Sequence, residues 1–94
     1  MKVEDDREYS RFLVRLPEGE LVYKRIPPRT LELVHTDVAP ALRGRGVAEA
    51  LVEGAMAHAR EEALSVVATC PYVQRWLAKH PEHRDLMVPG SKPR

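Results

Sequence analysis

Two glycines and two arginines are concentrated in the segment Arg43-Gly44-Arg45-Gly46-Val47-Ala48, directly before a helical pattern begins. Glycine lets backbone amides approach a ligand closely, and the unpaired N–H groups at a helix N-terminus attract negative charge. Guanidinium groups bind phosphate oxygens through paired hydrogen bonds. The segment therefore predicts a phosphate-binding loop. The alternative, from local chemistry alone, is an ordinary helix start with two solvated arginines.

The spacing of the glycines argues against two common phosphate ligands. A dinucleotide-binding fingerprint requires G-x-G-x-x-G/A, but Glu49 stands three residues after Gly46, and no second βαβ unit remains in the chain. An ATP-binding P-loop requires Lys-Ser or Lys-Thr directly after its final glycine, and the chain contains neither arrangement. We therefore expect neither NAD binding nor nucleoside triphosphate hydrolysis.

Three side chains have the chemistry for proton transfer or nucleophilic attack. Cys70 precedes Pro71, which favours the first helical position, so the thiol is expected at a helix N-cap where the dipole lowers its pKa. Cysteine is also among the most buried residue types, so an inert packing role stays open. His35 carries an imidazole, whose usual pKa suits proton transfer, although strand alternation could turn it away from a cleft. Tyr72 could donate a proton or simply pack in the first helical turn.

The remaining histidines do not indicate a metal site. His80 and His83 are separated by Pro81 and cannot share one helix face, and the sequence offers no third ligand beside them. A polar helix exit is the simpler interpretation of this segment. His58 falls on the polar side of the longer helix and is expected at the surface.

The elements that must position these residues follow the order β-β-β-α-β-α. Alternating patterns predict strands over residues 9–16, 21–26 and 30–38, with a turn at Pro17-Glu18-Gly19-Glu20, and a short apolar run predicts a strand over residues 64–69. Apolar residues at spacings of three and four predict helices over residues 47–63 and 71–79. The helical crossover allows the third and fourth strands to lie parallel. An α/β sandwich is expected.

Length and composition limit the class of protein. Ninety-four residues correspond to one domain, which we place at residues 1–94 with a core at 8–83 and an irregular tail at 84–94. A net charge of +1 lacks the broad basic surface of a nucleic-acid-binding protein, and no apolar run matches a membrane helix or a signal peptide. A lone cysteine favours a reducing cytoplasm over a disulfide framework. A soluble cytoplasmic protein is expected.

At a longer scale the sequence resembles the GNAT acetyltransferase superfamily. Its pyrophosphate loop, R/Q-x-x-G-x-G/A, matches Arg43 to Ala48 position by position. The wider run from His35 to Gly46, then Thr69-Cys70-Pro71-Tyr72-Val73 and Lys79-His80-Pro81-Glu82, looks like the small stand-alone GNAT-like group. The resemblance covers residues 9–83.

The resemblance implies an acetyl-CoA-dependent N-acetyltransferase that uses no metal and acts on a primary amine of a small molecule or protein. It implies a mixed sheet packed by two helices, with a splayed parallel strand pair around the thioester and an oxyanion near a backbone N–H at residues 36–38. The expected catalytic residues, in order, are Cys70, His35 and Tyr72. We expect a monomer or weak dimer that binds neither nucleic acid nor membrane. The expected cofactor-binding residues are Thr36, Val38, Arg43, Gly44, Arg45, Gly46, Val47 and Ala48.

One departure from the family pattern keeps a second function open. Many GNAT enzymes carry a thiolate-protonating tyrosine a turn or two into the second helix, where this sequence has Trp76 and Leu77, both expected in the core. Only eight residues precede the first predicted strand, whereas larger relatives use an N-terminal helical pair to build the acceptor pocket. A CoA-binding module with little or no turnover is therefore the alternative, and a ligand-free interaction domain is a third, weaker one.

Overall fold

Four strands lie in the N-terminal half of the chain, and the C-terminal half contains two helices with one further strand between them. The computed structural model describes residues 1–15 and 18–88. Short 3-10 helices lie at Pro40–Leu42 and Pro81–Leu86. The main elements are β1 (Glu4–Asp6), β2 (Arg11–Arg15), β3 (Glu18–Ile26), β4 (Thr30–Val38), α1 (Val47–Glu61), β5 (Ser65–Ala68) and α2 (Pro71–Ala78).

The five strands form one mixed sheet in the order β1-β2-β3-β4-β5. The pairs from β1 to β4 are antiparallel, whereas β4 and β5 are parallel because α1 returns the chain between them. The predicted α/β fold with a parallel strand pair is confirmed. Among the described residues, neither the length nor the apolar content of any helix matches a membrane span.

The pairing between β4 and β5 ends halfway along β4. The last paired residues are Leu33 and Ala68, and the next two backbone amides, of Thr69 and Cys70, both donate to the Leu33 carbonyl at 3.1 and 3.0 Å. The chain then turns into α2, while β4 continues to Val38 paired with β3 alone. Within the described residues, the outer edge of β4 over 34–38 therefore has no partner strand.

A β-bulge lies at the point where the two parallel strands separate. Val22 of β3 pairs with His35 and Tyr23 pairs with Leu33, so Val34 is an extra residue on β4. A bulge bends its strand and increases the local twist. The bend therefore begins immediately beyond Leu33, where β5 leaves the sheet.

The hydrophobic core lies between one face of the sheet and the two helices. Paired residues of neighbouring strands share a face, and on this face most of them are apolar and buried. The helix residues that complete the core recur at spacings of three and four, as an amphipathic helix requires. The core comprises Phe12, Val14, Leu21, Tyr23, Leu31, Leu33, Val66 and Ala68 from the sheet, Val47, Leu51, Val52, Ala55, Met56, Ala59, Val73, Trp76 and Leu77 from α1 and α2, and Cys70 and Leu86 from the segments around α2.

Two expectations about the N-terminal half were wrong. Residues 4–6 form an edge strand, which we did not predict because their side chains, Glu-Asp-Asp, are all acidic; Glu4 and Asp6 pair with Arg15 and Arg11 at 2.9 Å each. The expected turn also ends earlier, because Gly19 lies inside β3 opposite Val38. Pro17 lies outside the described residues.

The expected irregular tail of residues 84–94 is only partly described. Its described part contains the end of the second 3-10 helix, with Leu86 buried in the core. Met87 then forms a parallel bridge with Val66, and the Val88 amide donates to the Val66 carbonyl at 3.1 Å. The segment therefore covers the outer edge of β5.

Candidate functional site

A cleft of about 700 Å³ opens where β4 and β5 separate. Its walls are the free edge of β4, the glycine-containing loop and the first turns of both helices. This volume falls within the range of about 300 to 1,000 Å³ that is typical of small-molecule sites. The lining residues are His35, Thr36, Asp37, Val38, Leu42, Arg43, Gly44, Gly46, Val47, Ala48, Glu49, Tyr72 and Arg75.

The glycine loop has a backbone conformation that suits its residues. Gly44 and Gly46 have φ values of +81° and +82°, a region that side chains with a Cβ rarely adopt. A Cβ built at either position would meet no atom within 4 Å, so both glycines face open space. The loop thus offers its backbone to the cleft without a side-chain screen.

The first turn of α1 presents unpaired donors to the same space. Gly46 is the N-cap and supplies no side-chain cap, and the first helical bond is from the Ala50 amide to the Gly46 carbonyl at 2.9 Å. The amides of Val47 and Ala48 precede that bond, so they belong to the orphan N–H groups of a helix start. With the helix dipole, this turn is suited to an anion.

The arginines divide between cleft and surface. Arg43 lines the cleft, although its own amide donates to the Pro40 carbonyl at 3.3 Å and is not free. Arg45 is exposed and is not a lining residue. Arg75 of α2 is a lining residue that the sequence analysis missed. Its position three residues after Tyr72, on the same face of the helix, was the available signal.

Strand alternation separates the side chains of β4 onto two faces. Thr36 pairs with the buried Leu21, so its side chain lies on the helix-covered face, and Val38 follows two residues later on that face. His35 pairs with Val22 and is exposed on the opposite face, although it still borders the cleft. The structure therefore brings Thr36, rather than His35, towards the two helices.

Cys70 lies beneath the cleft and is not one of its lining residues. It is the N-cap of α2, as predicted, and only 4% of it is exposed. Its Sγ lies 3.5 Å from the Thr36 hydroxyl oxygen. Burial raises the pKa of the thiol, but the hydroxyl of Thr36 and the amides of Val73 and Tyr72 oppose it, and the net shift is downward. These amides lie near the sulfur without forming a geometric capping bond.

Tyr72 is the candidate proton donor that lies in the cleft wall. Burial, followed by the negative charge of Glu49, raises the pKa of its phenol, while Arg75 opposes the rise. The hydroxyl consequently stays protonated at neutral pH. Glu49, like Asp37 and Leu42, is a lining residue that the sequence analysis did not single out. All three are direct sequence neighbours of predicted cofactor-binding residues, and this adjacency was the available signal.

The other histidines lie outside the cleft. His58 was expected at the surface, but only 16% of its side chain is exposed, and its ring packs edge-on against Phe12 at 5.5 Å. His80 stacks on Trp76 with 3.8 Å between ring centroids. Trp76 is 6% exposed and Leu77 is 4% exposed, so their predicted core positions are confirmed. Among the described residues, no three His, Cys, Asp or Glu side chains are grouped to hold a metal ion.

Comparison with known proteins extends the resemblance drawn from the motifs. The chain is 38% identical over 85 residues to Protein NATD1 of Xenopus tropicalis, covering 86% of this chain and 78% of that protein. It is 36% identical over 85 residues to the human NATD1, covering 86% of this chain and 75% of the relative.

The fold is also similar to that of a solved structure. The NMR solution structure of a GCN5-like protein from Staphylococcus aureus matches 93% of this chain and 87% of that chain, with a TM-score of 0.73 and 23% identity. At this identity the match supports the fold alone. The family model described as GCN5-related N-acetyl-transferase matches residues 11–86, which include the cleft and both helices. The chain therefore belongs to the GCN5-related N-acetyltransferase family.

Proposed function

We propose that the protein is an acetyl-CoA-dependent N-acetyltransferase that transfers an acetyl group to a primary amine. The proposal depends on two structural features, a strand edge and a glycine loop, that meet in one cleft. The free edge of β4 offers backbone hydrogen-bonding groups over residues 34–38, and the loop at Gly44 and Gly46 offers unpaired amides at its end. An elongated ligand with an anionic end and an amide-containing arm matches both features.

The loop residues fit the diphosphate of CoA. The open space beside Gly44 and Gly46 lets phosphate oxygens approach the backbone, and the amides of Val47 and Ala48 donate to them. Arg43 adds a positive charge in the cleft, and the exposed Arg45 can reach the outer phosphate oxygens.

The strand edge fits the pantetheine arm. Its amide groups would pair with the backbone of β4 as an additional strand does, with Thr36 and Val38 beside it on the helix-covered face. An extended arm that starts at the loop and follows β4 backwards passes Thr36 on its way towards the point where the strands separate. The thioester would then lie above Cys70 and beside Tyr72, with a backbone N–H of residues 36–38 donating to the developing oxyanion.

The acceptor amine attacks the thioester carbonyl directly, and much of the acceleration comes from holding the two reactants together. Tyr72 is the side chain suited to protonating the departing thiolate, because it lines the cleft and keeps its proton. Cys70 is our first candidate for proton exchange, and its burial puts the thiol behind the lining residues. His35 remains the second candidate, on the opposite face of the sheet.

A CoA-binding module with little turnover is the second candidate function. It is favoured by the position of Trp76 and Leu77, which fill the core where many members of the family carry a catalytic tyrosine. The cleft itself is unaffected by this difference. The two functions therefore share one ligand and differ in whether the amine is acetylated.

Two measurements test the proposal and separate the candidates. Native mass spectrometry of the purified protein should show a mass increase that corresponds to CoA or acetyl-CoA, and calorimetry should give a dissociation constant for each. Amine-dependent release of free CoA across a panel of primary amines then identifies an enzyme. Binding without release would support the module, and an absence of binding would contradict both candidates.

A further inference from the structure

The contact between Thr36 and Cys70 joins a residue in the cleft wall to a thiol outside it. The two side chains come from positions 34 residues apart, and the Oγ1–Sγ distance is 3.5 Å. Thr36 lines the cleft, whereas Cys70 does not. The Thr36 hydroxyl can therefore pass a proton between the Cys70 thiol and a molecule in the cleft.

The sulfur lies among hydrogen-bond donors at the start of α2. Cys70 is held at the N-cap of α2 by Pro71, which fixes the first turn, and the amides of Tyr72 and Val73 lie close to the sulfur. The pKa of the thiol is lowered in consequence, in spite of its burial. Either atom of this pair can be the donor, and when the sulfur is deprotonated the Thr36 hydroxyl donates to it. The lone pairs of the hydroxyl oxygen remain free for a donor in the cleft.

We propose that Thr36 is a catalytic residue that passes a proton between the acceptor amine and Cys70, and that Cys70 is the positioning residue behind it. This inference rests on the proposed function, since it needs an amine and a thioester in the cleft. It assigns no covalent bond between the sulfur of Cys70 and the acetyl group.

One proton leaves the amine and one reaches the CoA sulfur in each cycle, so Thr36 and Cys70 end in their starting protonation states. As the amine nitrogen forms its bond to the thioester carbon, an N–H proton moves to the Thr36 oxygen while the hydroxyl proton moves to the Cys70 thiolate. When the carbon–sulfur bond then breaks, the electron pair leaves with the CoA sulfur. In one route, the Thr36 hydroxyl proton moves to the CoA thiolate while the Cys70 proton moves to the Thr36 oxygen. In the other, Tyr72 donates its proton to the CoA thiolate and regains one from Cys70 through Thr36. The products are an amide and CoA thiol, and the protein is unchanged.

Two pairs of variants test the relay. Thr36→Val removes the hydroxyl with little change in shape, and Thr36→Ser keeps it. We expect Thr36→Val to lower kcat, measured at saturating acetyl-CoA, by about 100-fold or more, the scale of a lost proton-transfer group. Thr36→Ser should retain most of the rate. Cys70→Ala should resemble Thr36→Val, and the double variant should lose no more than either single variant.

A spectroscopic titration gives a readout that does not depend on the acceptor. Cys70 is the only cysteine, so a ¹³Cβ-cysteine label gives one NMR signal that follows its ionisation. Its midpoint should move to higher pH in Thr36→Val and return in Thr36→Ser. An unchanged midpoint in Thr36→Val would overturn the relay.

The kinetic outcomes separate the relay from the proposed function. A Thr36→Val variant that transfers acetyl groups at the wild-type rate would overturn the relay while the enzyme assignment stands. So would an acetyl-Cys70 intermediate that forms on mixing with acetyl-CoA and decays on addition of the amine. CoA binding without any transfer would also overturn it, whereas an absence of CoA binding would first contradict the proposed function itself.

Discussion

Gly19 of β3 lies directly against Val47, the first residue of α1. A Cβ added to Gly19 would come within 2.6 Å of the Val47 Cγ1, and within 3.3 Å of both Val38 and Leu51 side-chain atoms. The absence of a side chain at Gly19 thus lets the first turn of α1 pack closely on the sheet. Because the glycine loop ends at that turn, this contact also fixes the loop beside β4.

Gly19→Ala should destabilise the protein, because a buried valine with short branches cannot move away as a flexible side chain can. We expect a loss of about 1 to 3 kcal/mol in the free energy of unfolding, the usual cost of overpacking a core. Urea unfolding followed by circular dichroism measures it. Glu18→Ala is the matched control, since Glu18 is exposed in the same strand. Equal stability of the two variants would contradict the close packing.

Gly46→Glu should abolish CoA binding, because it places a negative charge and a side chain where the diphosphate is proposed to lie. Gly46→Ala is the matched control: it introduces the same strain at a φ of +82° without the charge, and its Cβ meets open space. Calorimetry should show measurable affinity for the alanine variant and none for the glutamate variant. An unchanged affinity in Gly46→Glu would remove the loop from the site.

Tyr23 joins β3 to the N-terminal strand. Its buried hydroxyl donates to the Asp5 carboxylate at 2.6 Å, and burial, followed by this bond, raises the pKa of the phenol from 10.0 to about 12. The folded state therefore holds the proton more tightly than the unfolded state, so this stabilisation is complete below pH 10 and is lost as the pH rises towards about 12.

Tyr23→Phe should lower the free energy of unfolding at neutral pH by about 1.5 to 3 kcal/mol, the usual value of a hydrogen bond to a charged group. The difference from the wild type should shrink as the pH rises through the range from 10 to about 12. Urea unfolding at several alkaline pH values measures both effects. A difference that stays constant with pH would show that the phenol does not titrate as the contact requires.

Arg60 of α1 anchors the C-terminal segment. Its guanidinium donates to both carboxylate oxygens of Asp85, at 2.8 and 3.0 Å, and to the Glu82 carbonyl at 3.1 Å. The hydrogen bond from Arg60 lowers the pKa of the Asp85 carboxyl below 3.8. The contact therefore persists at neutral pH and is lost only as the pH falls through that lowered pKa.

Arg60→Ala should loosen this segment while leaving most of the fold intact. Hydrogen exchange of the Val88 amide, which donates to the Val66 carbonyl, should accelerate, whereas exchange of the core amides of β3 should not. Arg60→Lys keeps the charge but loses the two-pronged geometry, so an intermediate rate is expected. Uniform acceleration across the sheet would show instead a general loss of stability.

Much of the fold could be predicted because local patterns determined it. The limits of β4 at Thr30 and Val38, the start of α1 at Val47 and that of α2 at Pro71 all agree with the sequence-based prediction. Alternation, helical spacing and a proline at the first turn are each visible within a few residues. The position of the glycine loop at the start of α1 followed from the same signals.

The misses depended on contacts between distant residues. Gly19 resembles a turn residue until α1 packs over it, and residues 4–6 resemble a solvated tail until they pair with β2. The site shows the same limit. The contact between Cys70 and Thr36 depends on where β5 stops pairing with β4, whereas the position of Cys70 beside the thioester stays a prediction. Pro71 limits how far β5 can extend, but the pairing of Ala68 with Leu33 is set by contacts between distant residues.

The shortness of β5 has a consequence for how the sequence can vary. Ala68 is its last residue, and Pro71 lacks the N–H group that a longer ladder would need. With two or three more paired residues, β5 would form hydrogen bonds with the backbone groups of β4 that now have no partner strand, and a ligand could no longer bind them. Insertions just ahead of Pro71 should therefore be harmful even when they leave the protein folded and stable.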